Sequence, residues 1–205
     1  MQRRVLIQSV MSVGLLSVAS MPVLALDATG DPERWILDLS NEMLEAIRSD
    51  VKLMQGDPER VRQFVNDKVM PVVDFVRMTR MCVGPQWRKA TPEQREELQH
   101  QFREQLTRVY SGALATVKDQ KVELAPNRVK PAPGEAIVRT LMTAPGKPDM
   151  RINYRLKKVD GNWRIIDVDV EGIWLVTNYR QQFAGVINSS GIEGLIETLK
   201  AKNAR

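Results

Sequence analysis

The stretch from Trp163 to Phe183, WRIIDVDVEGIWLVTNYRQQF, constrains this chain more than any other. An apolar run, Trp163 to Val170, is followed at once by Gly172 and by the start of an amphipathic helix at Leu175. Asp160-Gly161, just upstream, is a tight hairpin signal, so Trp163–Val170 reads as the return arm of a hairpin. Its partner is the run in which Met150, Ile152, Tyr154 and Leu156 alternate with Arg151, Asn153, Arg155 and Lys157, the pattern of a half-buried strand. Two further β-like runs, Lys121 to Val129 and Glu135 to Thr143, stand on either side of Pro131-Ala132-Pro133-Gly134. The second half is therefore a sheet of hairpin-linked strands that hands over to helix.

The first half has the other period. Asp31-Pro32-Glu33 and Asp57-Pro58-Glu59 each supply an N-cap, a proline at the first helical position and an acid in the first turn. Trp35, Ile36, Leu39, Met43, Leu44, Ile47 and Val51 form a one-faced stripe after the first; Val61, Phe64, Val65 and Val69 follow the second, up to Pro71. Val72 to Cys82 is apolar around much of its circumference and stops at Gly84-Pro85. Thr91-Pro92-Glu93-Gln94 is a capping box that launches Leu98, Phe102, Leu106, Val109, Tyr110, Ala113, Leu114 and Val117 at three- and four-residue steps. Leu175 to Ile187 and Glu193 to Lys202 read as closing helices. The order predicts an α+β fold: a helical N-terminal half (about 31–118) packed on a twisted antiparallel sheet (about 121–171), with C-terminal helices (about 175–202).

The N-terminus reads as an export signal rather than as part of the fold. Arg3 and Arg4 precede an apolar run, Val5 to Ala19, and Val23-Leu24-Ala25 fits a cleavage site. The expected division is a signal peptide over 1–25 and one domain over 26–205. Loss of the two arginines takes the formal charge from +5 to +3, with bases and acids interleaved, so nucleic acid is a poor partner. Cys82 is the only cysteine; an exported chain here has no internal disulfide, and stability rests on burial. Cys82 itself reads as a small apolar core residue.

Chemistry is sparse. His100, the only histidine, points away from its helix's apolar stripe and reads as an idle surface residue. Asp167, Asp169 and Glu171 alternate and share a face. They read as a solvent-facing edge opposite Ile166, Val168 and Val170, paired with Arg139, Arg155 or Arg164; a cation site or acid–base cluster is the other reading. Tyr154 or Tyr179 beside an Asp would suit a small cone-shaped isomerase, though nothing selects it. No phosphate loop and no Ser–His arrangement is present. What remains is apolar surface: Phe75, Met78, Met81 and Val83 in one helix, and Ile173, Trp174, Leu175 and Val176 consecutively after a strand. These are core, or the lining of a pocket for a flexible apolar ligand.

Two blocks resemble a known family. One is Asp74-Phe75-Val76-Arg77-Met78-Thr79-Arg80 with Val83-Gly84, Trp87-Arg88 and Ala90-Thr91-Pro92-Glu93-Gln94-Arg95, through Phe102 and Tyr110. The other is Trp163-Arg164-Ile165-Ile166-Asp167-Val168, Val170-Glu171-Gly172-Ile173, Leu175-Val176, Asn178-Tyr179-Arg180 and Gln182-Phe183. In order and spacing they resemble the MlaC (toluene-tolerance) family of periplasmic phospholipid-binding proteins, across essentially the whole exported chain. Trp174 and Val73 depart from that family's usual residues. The resemblance implies an NTF2-like twisted sheet against helices, with an apolar cavity between them for the acyl chains of a glycerophospholipid. It implies a periplasmic carrier, auxiliary to an inner-membrane ABC transporter complex and serving an outer-membrane lipoprotein–porin complex, that maintains outer-membrane lipid asymmetry without cofactor, metal or catalysis. Phe75, Met78, Tyr110, Val168, Val170, Ile173, Leu175, Val176, Tyr179 and Phe183 are the expected acyl-chain contacts, with Arg80, Arg139 or Arg180 near the mouth. The competing reading is an NTF2-like enzyme acting on a small apolar substrate.

Overall fold

The computed structural model describes residues 27–204; the expected signal peptide and its cleavage site lie outside them. The helical half begins as its caps dictate. Asp31 accepts hydrogen bonds from the Glu33 and Arg34 amides, at 2.8 and 2.9 Å, and starts α1 (Pro32–Arg48). A short α2 (Val51–Met54) and α3 (Pro58–Phe64) follow, the latter capped by Asp57. There the regular helix fails. Val65–Val69 is a π-helical turn and Met70–Val72 a 3-10 turn, because Pro71 has no amide hydrogen to continue the ladder.

The next helix starts later than its apolar run. Val73 bridges Ile165 in extended conformation and Asp74 caps α4 (Phe75–Val83) by accepting from the Arg77 amide at 3.0 Å. Gly84 ends it with φ 72°, ψ −145°, a backbone open to glycine and strained for other residues. A 3-10 segment (Gly84–Lys89) leads to α5 (Pro92–Leu114), where Thr91 and Gln94 complete the expected capping box.

The sheet has five antiparallel strands in sequence order: β1 (Lys121–Leu124), β2 (Glu135–Thr143), β3 (Met150–Val159), β4 (Asn162–Val170) and β5 (Ile173–Trp174). The mixed α+β class expected from the chain's two periods is the one observed. β1 is shorter than the run to Val129, since Pro126 cannot donate to a ladder. Asp160 and Gly161 turn the β3–β4 hairpin with φ of 49° and 80°, the left-handed pair that a two-residue turn requires. Glu171 and Gly172 repeat the device, φ 53° and 89°, between β4 and β5. α6 (Leu175–Asn203) then holds two helical lengths that meet at a non-helical Gly191, φ 68°, ψ −170°, in keeping with the two closing helices expected.

One irregularity sets the faces of β4. Arg155 pairs with Asp167 but its neighbour Leu156 pairs with Ile165, so Ile166 is a β-bulge, an extra residue without a partner. It lets Trp163 and Ile165, and then Val168, look toward the same side. Trp163 and Ile165 pack there with Ala136, Val138 and Leu156 under Trp35, Ile36 and Leu39 of α1. Asp167 and Asp169 look the other way, with Arg155 and Asn153. They do not face solvent as expected: they are 0% and 1% exposed. Asp167 accepts from the Val176 amide at 2.9 Å and the Val168 amide at 3.0 Å. It also pairs with Arg155 at 3.3 Å. Asp167 thus caps α6 from a neighbouring strand, satisfying an amide that Trp174 at the N-cap position leaves open.

A second core joins α4, α5 and α6 around Phe102. Its ring lies 5.6 Å from Phe75, 4.8 Å from Tyr179 and 5.1 Å from Phe183. Leu98, Met78, Cys82, Val176, Ile187, Leu195 and Leu199 fill the surround. A third, smaller core holds Leu53, Val61 and Phe64 against the ends of α1, α5 and β1.

Candidate functional site

Where these cores meet, the packing is incomplete. A cavity of about 240 Å³ lies between the α3-to-α4 segment, α5 and the β4–α6 corner. On α5, the stripe that is fully buried at Leu98 and Phe102 continues at Leu106, Tyr110 and Leu114; four-residue steps keep them in line. Beside it a second line, Arg103, Thr107 and Ser111, supplies the polar side chains of the lining other than the Tyr110 hydroxyl. Val61, Phe64, Val65, Val69, Met70 and Val73 close one side, Phe75 and Met78 of α4 another. Val168 and Leu175 close the sheet side.

Five of the ten expected contacts therefore surround one cavity: Phe75, Met78, Tyr110, Val168 and Leu175. Val176, Tyr179 and Phe183 stand behind it in the closed aromatic core, 5%, 7% and 4% exposed. Val170 and Ile173, cross-strand partners one step beyond Val168 and Leu175, are exposed at 38% and 64%. None of Arg80, Arg139 and Arg180 lines the cavity; Arg103 does. The spacing of Val61, Phe64, Val65 and Val69 predicts an ordinary helix, and nothing in it sets the Val61–Val73 segment on a cavity wall. Pro71 after Val65, Val69 and Met70 was the available signal that these side chains leave a single helical face.

The titratable groups near the cavity are set for packing. Burial pushes the Cys82 thiol up to about 12, with Asp167 adding to the effect, so it stays protonated at neutral pH and is a poor nucleophile. Burial likewise pushes the Tyr179 hydroxyl up to about 12, and Tyr110 reinforces it. Tyr154 is raised by burial too; it pairs with Val168, on the sheet face opposite Asp167. The Asp167 carboxyl is raised by burial, against the opposing pull of the Val176 amide and Arg155. His100 is exposed, as its helix position implied. Among the described residues no group of three His, Cys, Asp or Glu side chains could hold a metal ion, and no helix is long and apolar enough to cross a membrane.

Known proteins resemble this chain along most of its length. The family model described as MlaC protein matches residues 37–201. The toluene tolerance protein ttg2D of Pseudomonas putida is 27% identical over 205 residues, 96% of this chain and 94% of that protein. The intermembrane phospholipid transport system binding protein MlaC of Haemophilus influenzae is 20% identical over 164 residues, 78% of this chain and 77% of that one. Among solved structures, a phospholipid-binding protein from Ralstonia solanacearum, in complex with a phospholipid, superposes with a TM-score of 0.81 at 34% identity. That match covers 85% of this chain and 98% of the other.

Proposed function

The chain belongs to the MlaC protein family, and from that premise we propose that it is a periplasmic carrier of glycerophospholipids. The observation that carries the reading is the cavity: thirteen of its sixteen lining residues are apolar, and its polar ones stand in one line on α5. A relative 34% identical and of the same fold was solved with a phospholipid bound.

Phe75, Met78, Tyr110, Val168 and Leu175 contact the acyl chains in this reading, joined by Leu106, Leu114 and the Val61–Val73 wall. Val170 and Ile173 form an outer lip, and Val176, Tyr179 and Phe183 back the wall without touching lipid. Arg103, Thr107 and Ser111 mark the side toward which a head group points. Two long acyl chains carry about 30 methylenes, so their exposure to water costs roughly 25 kcal/mol at about 0.8 kcal/mol each. Lipid therefore crosses an aqueous periplasm only inside a cover. The cover needs to match the bilayer and no more, because tighter binding would stop delivery to an inner-membrane ABC transporter complex or exchange with an outer-membrane lipoprotein–porin complex.

A cavity of 240 Å³ is smaller than the roughly 300–1,000 Å³ that holds a drug-sized ligand, so loading widens it. No cofactor and no covalent step enter this mechanism. The enzyme alternative needs Tyr154 or Tyr179 beside a carboxylate; Tyr154 has Asp167 across the sheet, and Tyr179 is surrounded by Phe102 and Phe183.

Native mass spectrometry on protein purified from periplasm without detergent, followed by lipid extraction, tests the proposal. The expected result is stoichiometric diacyl glycerophospholipid. A lipid-free protein that cannot be loaded from vesicles would overturn it.

A further inference from the structure

The sheet carries a second concavity on the face turned away from the apolar cavity. It is larger, about 570 Å³, and lies among Asn127, Arg139, Arg151, Asn153, Asp169 and Trp174. Charged and amide side chains stand there among Ala125, Ile137, Leu141 and Trp174, and the lipid reading does not use it.

Cross-strand register arranges this face in rows. Three ionic pairs on it are closed: Lys157 with Glu135 at 2.8 Å, Arg155 with Asp167 at 3.3 Å, and Arg151 with Glu171 at 3.5 Å. The remaining row, Arg139–Asn153–Asp169, is open, because Asn153 stands between the two charged types. Arg139 donates to the Asn127 carbonyl at 3.0 Å and has no carboxylate within ion-pair distance among the described residues. Asp169 is 1% exposed. One of its oxygens accepts from the Asn153 side-chain amide, while Oδ2, buried, has no hydrogen-bond partner.

Buried carboxylate oxygens are nearly always satisfied, and an orphan asks for a donor from elsewhere. Arg139 and Asp169 stand two strands apart, roughly 10 Å at the backbone; the Arg139 guanidinium leans to Asn127 on the β1 side, so a ligand would span the gap. Trp174 pairs with Asp169 across the edge of the sheet. Its ring, packed 4.5 Å from the Arg155 guanidinium, gives the concavity an apolar wall.

We propose that this concavity binds a small zwitterion, with an ammonium group on Asp169 Oδ2 joined by a short carbon chain to a phosphate or carboxylate on Arg139. An anion alone would meet Asp169, and a cation alone would meet Arg139; only a molecule carrying both completes the row. The chemistry has two sources: the phosphoethanolamine head group of a membrane lipid, or a free zwitterion in solution. The inference stands apart from the carrier reading, since it concerns the opposite face.

The test is a two-dimensional ¹H–¹⁵N NMR titration of the mature chain, read at the Trp174 indole and the Asn153 side-chain amide. O-phosphoethanolamine and 4-aminobutanoate are the soluble probes. The expected result is a saturable shift at both groups, at least about tenfold tighter than with inorganic phosphate or ethanolamine, each of which forfeits one charge-assisted contact. Arg139→Gln, half-buried at the concavity's side, should weaken it about tenfold and leave the lipid content of the other cavity unchanged. Vesicles of phosphatidylethanolamine, compared with phosphatidylcholine whose ammonium has no hydrogen to donate, separate the sources. A shift with the former vesicles alone assigns the head group, and a shift with soluble probes alone assigns a free ligand. Absence of a saturable shift with every probe overturns the proposal. So does a response to inorganic phosphate equal to that of phosphoethanolamine and unaffected by Arg139→Gln.

Discussion

Val168 and Val176 lie close along the chain on either side of the β4–α6 corner, and the same substitution at each should have opposite consequences. Val168 lines the cavity and is half-buried; Val176 is 5% exposed in the aromatic core. An asparagine at 168 can keep its amide hydrated while the cavity is empty, so Val168→Asn should cost about 1 kcal/mol of folding stability. That lowers the Tm of the delipidated protein by about 2–4 °C for a domain of this size. With acyl chains in place the amide meets hydrocarbon, and a partnerless amide in such surroundings costs about 4–8 kcal/mol. Even the lower figure weakens lipid binding by about three orders of magnitude. An asparagine at 176 has no hydrated state to retreat to. Its penalty falls on folding itself, about 3 kcal/mol or more, so Tm should drop by about 6–12 °C. The assay pairs thermal unfolding of delipidated protein with lipid content after detergent-free purification. If Val168→Asn keeps stoichiometric lipid, or if Val176→Asn folds as the parent does and loses only lipid, the cavity has been placed on the wrong side of this corner.

Other outcomes follow from the same geometry. Burial raises the folded-state pKa of Asp167 above its ordinary 3.8, so the folded form favours the protonated acid. Stability of the parent relative to Asp167→Asn should rise as pH falls from neutral toward 3.8 and be lost as it rises through the folded value; denaturant unfolding at several pH values that gave the opposite slope would mean the Arg155 pair outweighs desolvation. Cys82, 1% exposed with its thiol pushed up to about 12, should resist iodoacetamide in the folded protein and react fully once unfolded, as mass spectrometry can read. Gly84→Ala places a side chain at φ 72°, 3.7 Å from the Arg180 guanidinium, and should cost more than about 1 kcal/mol in denaturant unfolding.

The helical and sheet halves were legible where local chemistry is self-sufficient. Asp31-Pro32 and the Thr91–Gln94 box fix helix starts without reference to the rest of the chain, and Asp160-Gly161 fixes a hairpin. The faces of β4 were not legible, because Ile165 and Ile166 are identical in sequence terms. Which of them is the extra residue depends on pairing with β3. That single unpaired residue sets Val168 on the α1 side with Ile165 and leaves Asp167 and Asp169 on the other face, where Trp174 and the start of α6 bury them. The candidate cavity was half legible for a related reason. Phe75, Met78 and Tyr110 belong to regular helices, whereas Val65, Val69 and Met70 reach the cavity through a π turn and a 3-10 turn whose geometry is settled by the packing around them.

That irregular wall divides the molecule into a stiff part and a soft one. The aromatic core and the sheet are tied by close-packed rings and continuous ladders, which deform together or not at all. Residues 65–72 have two changes of helical pitch in eight positions and, although Val65, Val69, Met70 and Val72 rest against the cores, no fully buried residue, so displacing them gives up less packing than displacing a core element. A compartment with one compliant side can change its capacity at small energetic cost while its framework keeps its shape. In the proposed carrier, the useful property is then how easily one side yields rather than how tightly the whole holds.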